Sequence, residues 1–203
     1  MKMIVQVVLL LAGSTFALLG SALAQDDAAV RQMFEAGQYQ QVIDATADAA
    51  EPQALYMAAQ SRQKLGASNE ARETYSQLAA RPEDDVWHFI GLSGQHLVDD
   101  QTDPALAAAQ QAAAIDGNLS AAQYQVGLVL AKRRDWAAAA GAFDRAAELN
   151  QSHAYAYYYG GLMHYQSGRP DRMAIQFEQF LKLAPDAPER PEVLQIMRTV
   201  RGR

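Results

Sequence analysis

Laid against itself with a shift of 34 residues, the sequence matches without a gap over four units beginning at Pro52, Val86, Ser120 and Ala154. A period of this length constrains the fold more than any single motif. One such unit cannot bury its own apolar face, so it must stack on its neighbours. The eighth place of the unit is always small: Ala59, Ser93, Gly127 and Gly161. The twentieth holds Ala71, Ala105, Ala139 and Met173, the twenty-fourth Tyr75, Ala109, Phe143 and Phe177, and the twenty-seventh Leu78, Ala112, Ala146 and Phe180. Gly66 and Gly168 share the fifteenth place with Asp100 and Arg134.

Apolar residues at the fourth, seventh and eleventh places trace one face of a first helix, and the twentieth, twenty-fourth and twenty-seventh one face of a second. Each unit therefore reads as a helical hairpin whose small eighth residue lets the two backbones approach. Turn and start signals lie between the helices: Gly66-Ala67-Ser68, Asp103-Pro104, Arg134-Asp135 and Gly168-Arg169-Pro170. Ser120 with Gln123 has the form of a capping box opening a first helix. The segment YYYGGLMHYQSGRPDRMAIQFEQFLKLAP (157–185) carries the pattern most clearly and closes on Pro185. On these residues the chain resembles a tetratricopeptide repeat (TPR) protein over residues 52–187. The resemblance implies an all-α, right-handed superhelical solenoid of antiparallel hairpins. Residues 25–51, with FEAGQYQQVIDAT, are read as a degenerate first repeat, and 188–203 as a C-terminal capping helix presenting Val193, Leu194, Met197 and Val200 to the last hairpin. The family's large aromatic fourth place survives only as Phe89 and Tyr157, and its eleventh, usually tyrosine, is Arg62, His96, Leu130 and His164.

The first 24 residues are set apart from this pattern. Lys2, the apolar run Met3 to Ala12 and the small-residue site Ala22-Leu23-Ala24 have the layout of a secretory signal peptide cleaved after Ala24. The alternative is an uncleaved membrane anchor, since weakly apolar residues continue to Leu19. Cleavage takes the formal net charge from −6 to −7. An acidic chain without a basic stripe repels phosphate backbones, so nucleic acid is not an expected partner. There is no cysteine. A periplasmic or secreted destination then requires a fold held by packing alone.

Tyrosine is concentrated in YAYYYGGLMHYQSG, Tyr155 to Gly168. At 100° per residue, Tyr157, Gly160, Gly161 and His164 share one stripe, which makes Tyr157 a core ring. Tyr155, Tyr158, Tyr159, Leu162 and Tyr165 share another. In TPR arrays the second, fifth, sixth, ninth and twelfth places of the first helix line the concave groove. The resemblance thus implies a partner-binding surface of Tyr56, Met57, Trp87, Ile90, Tyr124, Gln125, Leu128, Tyr155, Tyr158, Tyr159, Leu162 and Tyr165, with Lys64 and Lys132 at its rim. Aromatic surface on one face suits recognition, because tyrosine brings large area at low entropic cost. The alternative is that these rings pack between adjacent first helices of a tight superhelix.

Chemistry is not expected. Without cysteine there is no thiol nucleophile or thiolate metal site. His88, His96, His153 and His164 lack the i, i+4 spacing of helical metal sites. Glu83-Asp84-Asp85, Asp99-Asp100 and Asp103 lack the glycine and closing glutamate of a calcium loop, and read as helix-start caps. No phosphate loop or nucleophile elbow occurs. No catalytic residue, metal or cofactor is assigned. The lysine, asparagine and arginine set with which part of the TPR family holds a C-terminal carboxylate is absent. The expected function is an exported, non-enzymatic adaptor that holds an extended apolar or proline-containing segment of another protein during envelope assembly. The alternatives are a peptidoglycan-binding module and a self-assembling repeat protein.

Overall fold

The computed structural model describes residues 28–201, and in them eleven helices and no strand. Helix α1 covers residues 28–35 and α2 Tyr39–Ala45. Four hairpins follow: α3 Pro52–Lys64 with α4 Ser68–Ala79, α5 Val86–Val98 with α6 Thr102–Ile115, α7 Ser120–Lys132 with α8 Trp136–Leu149, and α9 Ala154–Gln166 with α10 Pro170–Leu183. Helix α11, Arg190–Arg201, follows the last hairpin. The proposed signal segment lies outside the described residues.

Each first helix ends in the same way, and the backbone explains the fifteenth place. Gly66, Asp100, Arg134 and Gly168 all have positive φ, 77°, 63°, 62° and 71°. Beyond each, an N–H reaches back five residues: Ala67 to Arg62 O at 2.9 Å, Gln101 to His96 O at 2.8 Å, Asp135 to Leu130 O at 3.0 Å and Arg169 to His164 O at 2.8 Å. This is the Schellman closure, which satisfies carbonyls left open at a helix end. Gly37 at φ 74°, with Gln38 N–H on Met33 O at 2.9 Å, repeats it between α1 and α2. Residues 28–45 therefore form a hairpin of the same kind, with a shorter second helix.

Starts are less uniform. Asp85 accepts from Trp87 N–H at 2.9 Å and Asp135 from Ala138 N–H at 3.2 Å. The capping box expected at Ser120 is not formed. Leu119 is the cap residue, and Ser120 is inside α7, giving its hydroxyl proton to Ala146 O at 2.8 Å.

Every helix from α3 to α10 packs on the one before and the one after it, and α5 also touches α7. Rings at the twenty-fourth place lie flat against small residues of first helices. A Cβ added to Gly127 would meet Phe143 at 2.7 Å, and one added to Gly161 would meet Phe177 at 2.4 Å. The closeness is possible only because those side chains are single hydrogens. The core is otherwise alanine-rich, and α6 buries Ala105, Ala108, Ala109 and Ala112.

The array curls far enough for its ends to meet. Lys64 on α3 pairs with Glu189, just before α11, at 2.8 Å. The Tyr39 and Tyr155 hydroxyls are 3.1 Å apart, and Arg31 donates to Ser152 Oγ at 3.3 Å. These contacts join residues separated by 116 to 125 positions.

Candidate functional site: the inner face of the first helices

The fifth-place ladder does not form an open surface. Tyr56, Ile90, Tyr124 and Tyr158 are 2%, 0%, 3% and 6% exposed, and Met57, Gln125 and Tyr155 are buried with them. Trp87, Leu128, Tyr159 and Leu162 are half-buried, while Tyr165 is exposed at the far end of α9. Conversely Tyr157, expected in the core, is only half-buried at its edge. The ladder reading is corrected by one fact: residues of other repeats close over these rings. The Tyr155 hydroxyl donates to Glu189 at 2.8 Å and that of Tyr158 to Glu192 at 3.3 Å, each one repeat later. Tyr56 reaches two repeats along, giving its proton to Gln125 Oε1 at 2.8 Å, and Gln125 Nε2 donates to Ser93 at 3.0 Å. The rings are mortar between repeats, which is the packing alternative weighed from the sequence. Burial, with neighbouring phenols, raises the Tyr56 and Tyr124 hydroxyls well above the ordinary value, so both stay protonated donors.

What stays open is narrower. A cavity of about 370 Å3 lies between the first helices of the four hairpins, α3, α5, α7 and α9. Tyr124, Gln125, Leu128 and Tyr159 of the expected set border it, joined by Gln60, Gln63, Leu97, Lys132 and Phe34. The ninth and twelfth places of the first three hairpins thus face the cavity, while Ala121 and Tyr155 of the second place and Tyr56, Ile90 and Tyr158 of the fifth are packed. Lys64 stands on its wall, with its side chain 26% exposed and its ammonium 4.8 Å over the Tyr155 ring and 5.7 Å over Tyr159. Burial works to lower its pKa, but Tyr159, Glu189 and Tyr39 facing it win and hold it above the ordinary lysine value.

A second cavity of about 260 Å3 lies across Phe34 and Gln60 from the first. Tyr56, Met57 and Tyr155 border it, with Arg31, Glu35, Ser120 and His153, none of which the repeat pattern marked as binding residues. Glu35 lies near the start of α9, where His153 supplies no side-chain cap and the Ala154 N–H donates to Ser152 O at 3.1 Å. Burial raises Glu35 to about 7, against the pull of the Arg31 charge and, more weakly, of the Ala154 backbone. Burial, helped by Arg31, lowers His153 to about 4, so its imidazole is neutral. The Ser120 hydroxyl gives its proton to Ala146 O, so at 2.9 Å it accepts from His153 Nδ1–H. That polarity is the reverse of a serine activated by a histidine base.

His164 is buried on the other side of α9, with Nε2 at 3.1 Å from both Asp144 oxygens. Among the described residues no three His, Asp or Glu side chains converge as metal ligands, and no helix is long and apolar enough to cross a membrane.

Solved structures share this stacking of hairpins. A thermophilic TPR protein of Thermus thermophilus aligns at a TM-score of 0.59 and 22% identity, covering 90% of this chain and 96% of its own. This chain has the TPR fold. The first TPR domain of Spaghetti, solved with the HSP90 peptide SRMEEVD, aligns at 0.55 and 16% identity over 60% of this chain and 99% of its own. YrrB, a TPR protein with an unusual peptide-binding site, aligns at 0.50 and 19% identity over 93% of this chain and 90% of its own. No protein-family model and no curated protein matches the sequence. In TPR terms the inner face here is largely filled by the chain's own residues, and its opening is the cavity beside Phe34.

Proposed function

We propose that this TPR protein is an exported adaptor that binds a segment of another protein on its inner face and works by complementarity, without bond-making chemistry. The observation that carries this reading is the cavity of about 370 Å3 walled by the Tyr124 and Tyr159 rings, the Leu97 and Leu128 side chains and the Gln60 and Gln63 amides. Mixed aromatic and amide walls suit peptide side chains and the carbonyls beside them. Its volume is at the lower end of ligand clefts, about 300–1,000 Å3. It therefore admits a few side chains of a partner and not a long buried stretch. Two proteins of the same fold engage peptides, Spaghetti and YrrB, which supports the reading. Export and a place in envelope assembly rest on the layout of residues 1–24.

The test is photocrosslinking in intact cells with benzoylphenylalanine at Gln60 or Leu128, against Ile175, which is 57% exposed on α10. The same protein captured from both cavity positions and not from Ile175 supports an adaptor. Equal capture at Ile175, or retention on peptidoglycan with no protein captured, overturns it. Amino-terminal sequencing of the mature chain should begin at Gln25; a start at Met1 removes the cleaved signal.

A further inference from the structure

The hydrogen bonds around the inner cavity are unevenly closed. Gln125 is fully used, its carbonyl on Tyr56 and its amide N–H on Ser93. Lys64 is paired with Glu189 at 2.8 Å and Lys132 with Asp100 at 2.7 Å. Tyr75 gives its proton to Gln63 Oε1 at 2.7 Å, which leaves the Gln63 NH2 group as a donor. Among the described residues, the Gln60 amide and the hydroxyls of Tyr124 and Tyr159 have no hydrogen-bond partner. Tyr124 matters most, because it is only 3% exposed. The side-chain polar atoms sealed off without a partner belong to Ser61, His164 and Gln176, so the Tyr124 hydroxyl is open to the cavity that its ring borders. Buried phenols ordinarily keep the hydroxyl bonded. Water serves it while the cavity is open. An occupant that fills the cavity displaces that water and must itself supply an acceptor, or binding is weakened by the bond it loses.

We propose that the partner residue entering this cavity carries an uncharged amide, asparagine or glutamine, beside an aliphatic side chain, and that the Tyr124 hydroxyl selects it. This deepens the adaptor reading and rests on it. The wall is neutral: no Asp or Glu borders it among the described residues, and both lysines already have a countercharge. A carboxylate or ammonium brought in by a partner would give up its hydration without meeting an unpaired opposite charge. An amide needs a donor and an acceptor, and the wall offers both. Its carbonyl takes the Tyr124 proton or a Gln63 N–H, and its NH2 group meets the Gln60 carbonyl. Leu97, Leu128 and Phe34 form the apolar part of the same wall and hold the neighbouring aliphatic group. Gln60 is on α3 and Tyr124 on α7, two hairpins along, so recognition depends on the curl that brings both to one cavity.

Tyr124→Phe removes the hydroxyl and keeps the ring. Because that hydroxyl bonds no other group of the chain, the urea midpoint should stay in place. Tyr56→Phe, which deprives buried Gln125 of a donor, should lower it. The probes are N-acetyl-leucyl-glutamine amide and its glutamate and methionine counterparts, titrated against the full chain and followed by the NMR shifts of the tyrosine rings. The glutamine probe should bind about tenfold more tightly than either of the others, and Tyr124→Phe should remove most of that difference. Equal binding by the glutamate or methionine probe, no binding by the glutamine probe, or an unchanged preference in Tyr124→Phe overturns the proposal. A falling midpoint in Tyr124→Phe does so too, since the hydroxyl is then structural. In cells, capture through benzoylphenylalanine at Leu128 should fall severalfold with Tyr124→Phe. Unchanged capture refutes the amide site and leaves the adaptor; no capture with either protein refutes both.

Discussion

Gly161→Ala and Gly141→Ala are the same chemical change in neighbouring helices, and the structure gives them opposite signs. Alanine in place of glycine inside a helix gains about 0.5–1 kcal/mol, because the unfolded glycine has more backbone freedom to lose. At Gly141, in the middle of α8, an added Cβ meets nothing within 4 Å, so that gain is realised in full. At Gly161 the Cβ would lie 2.4 Å from Phe177 Cδ1 and 2.5 Å from Cε1. Carbon atoms rest at about 3.5–4.0 Å, so the ring must retreat by about an ångström. Phe177 is 0% exposed and has no room to do so. Overpacking of this kind costs about 1–3 kcal/mol, which exceeds the helix gain and leaves a net loss of about 1–2 kcal/mol. Urea melts followed by circular dichroism at 222 nm should show the Gly161→Ala midpoint falling and the Gly141→Ala midpoint rising at unchanged slope. Gly161→Leu should fall further. If Gly161→Ala stabilises the protein as much as Gly141→Ala does, the contact that brings the two helices of this hairpin together is not where the structure puts it.

Arg134→Gly should stabilise the chain by about 1 kcal/mol in the same assay, since a side chain at φ 62° carries a steric cost that glycine lacks. Gly168→Ala should destabilise by a similar amount although its Cβ would meet nothing within 4 Å. Tyr124→Ala and Tyr158→Ala should each cost about 3–5 kcal/mol as large-to-small changes in the core, read as loss of the thermal transition; retained stability would return these rings to the surface. Glu35 and His153 should oppose each other in acid. Glu35, raised from 4.5 to about 7, contributes stability that is full below about 4.5 and lost as pH rises through 7. His153, lowered from 6.5 to about 4, contributes stability that is full above about 6.5 and lost as pH falls through 4. The unaltered chain should therefore change little between pH 4.5 and 6.5, while Glu35→Gln unmasks a loss of about 1–2 kcal/mol on acidification, after allowance for solvent screening. Identical pH profiles for the two proteins would contradict this pairing.

The inner face was only partly legible in the sequence. Helical periodicity placed Tyr155, Tyr158 and Tyr159 on one stripe and Tyr157 on another, and the structure keeps those stripes. It could not say which stripe faces open space. The angle of a side chain about its own axis is local, whereas burial depends on whether another helix lies about 8–10 Å away on that side. Glu189 and Glu192 arriving from beyond the last hairpin, and Phe34 from before the first, close over Tyr155 and Tyr158. No residue within the repeat signals them. Glu35 was hidden for a related reason: Ser120 and His153, with which it shares a cavity, belong to other repeats.

The amino-acid order alone determined the hairpin, its length and its internal fit, since a recurrent small eighth residue, a left-handed fifteenth place and an apolar stripe are satisfied within one or two adjoining units. Only the folded array decided the accessible surface. Small rotations between successive hairpins accumulate along the stack until residues 116 to 125 positions apart touch, and that accumulated curvature, which no single unit encodes, turned most of an aromatic ladder into interior.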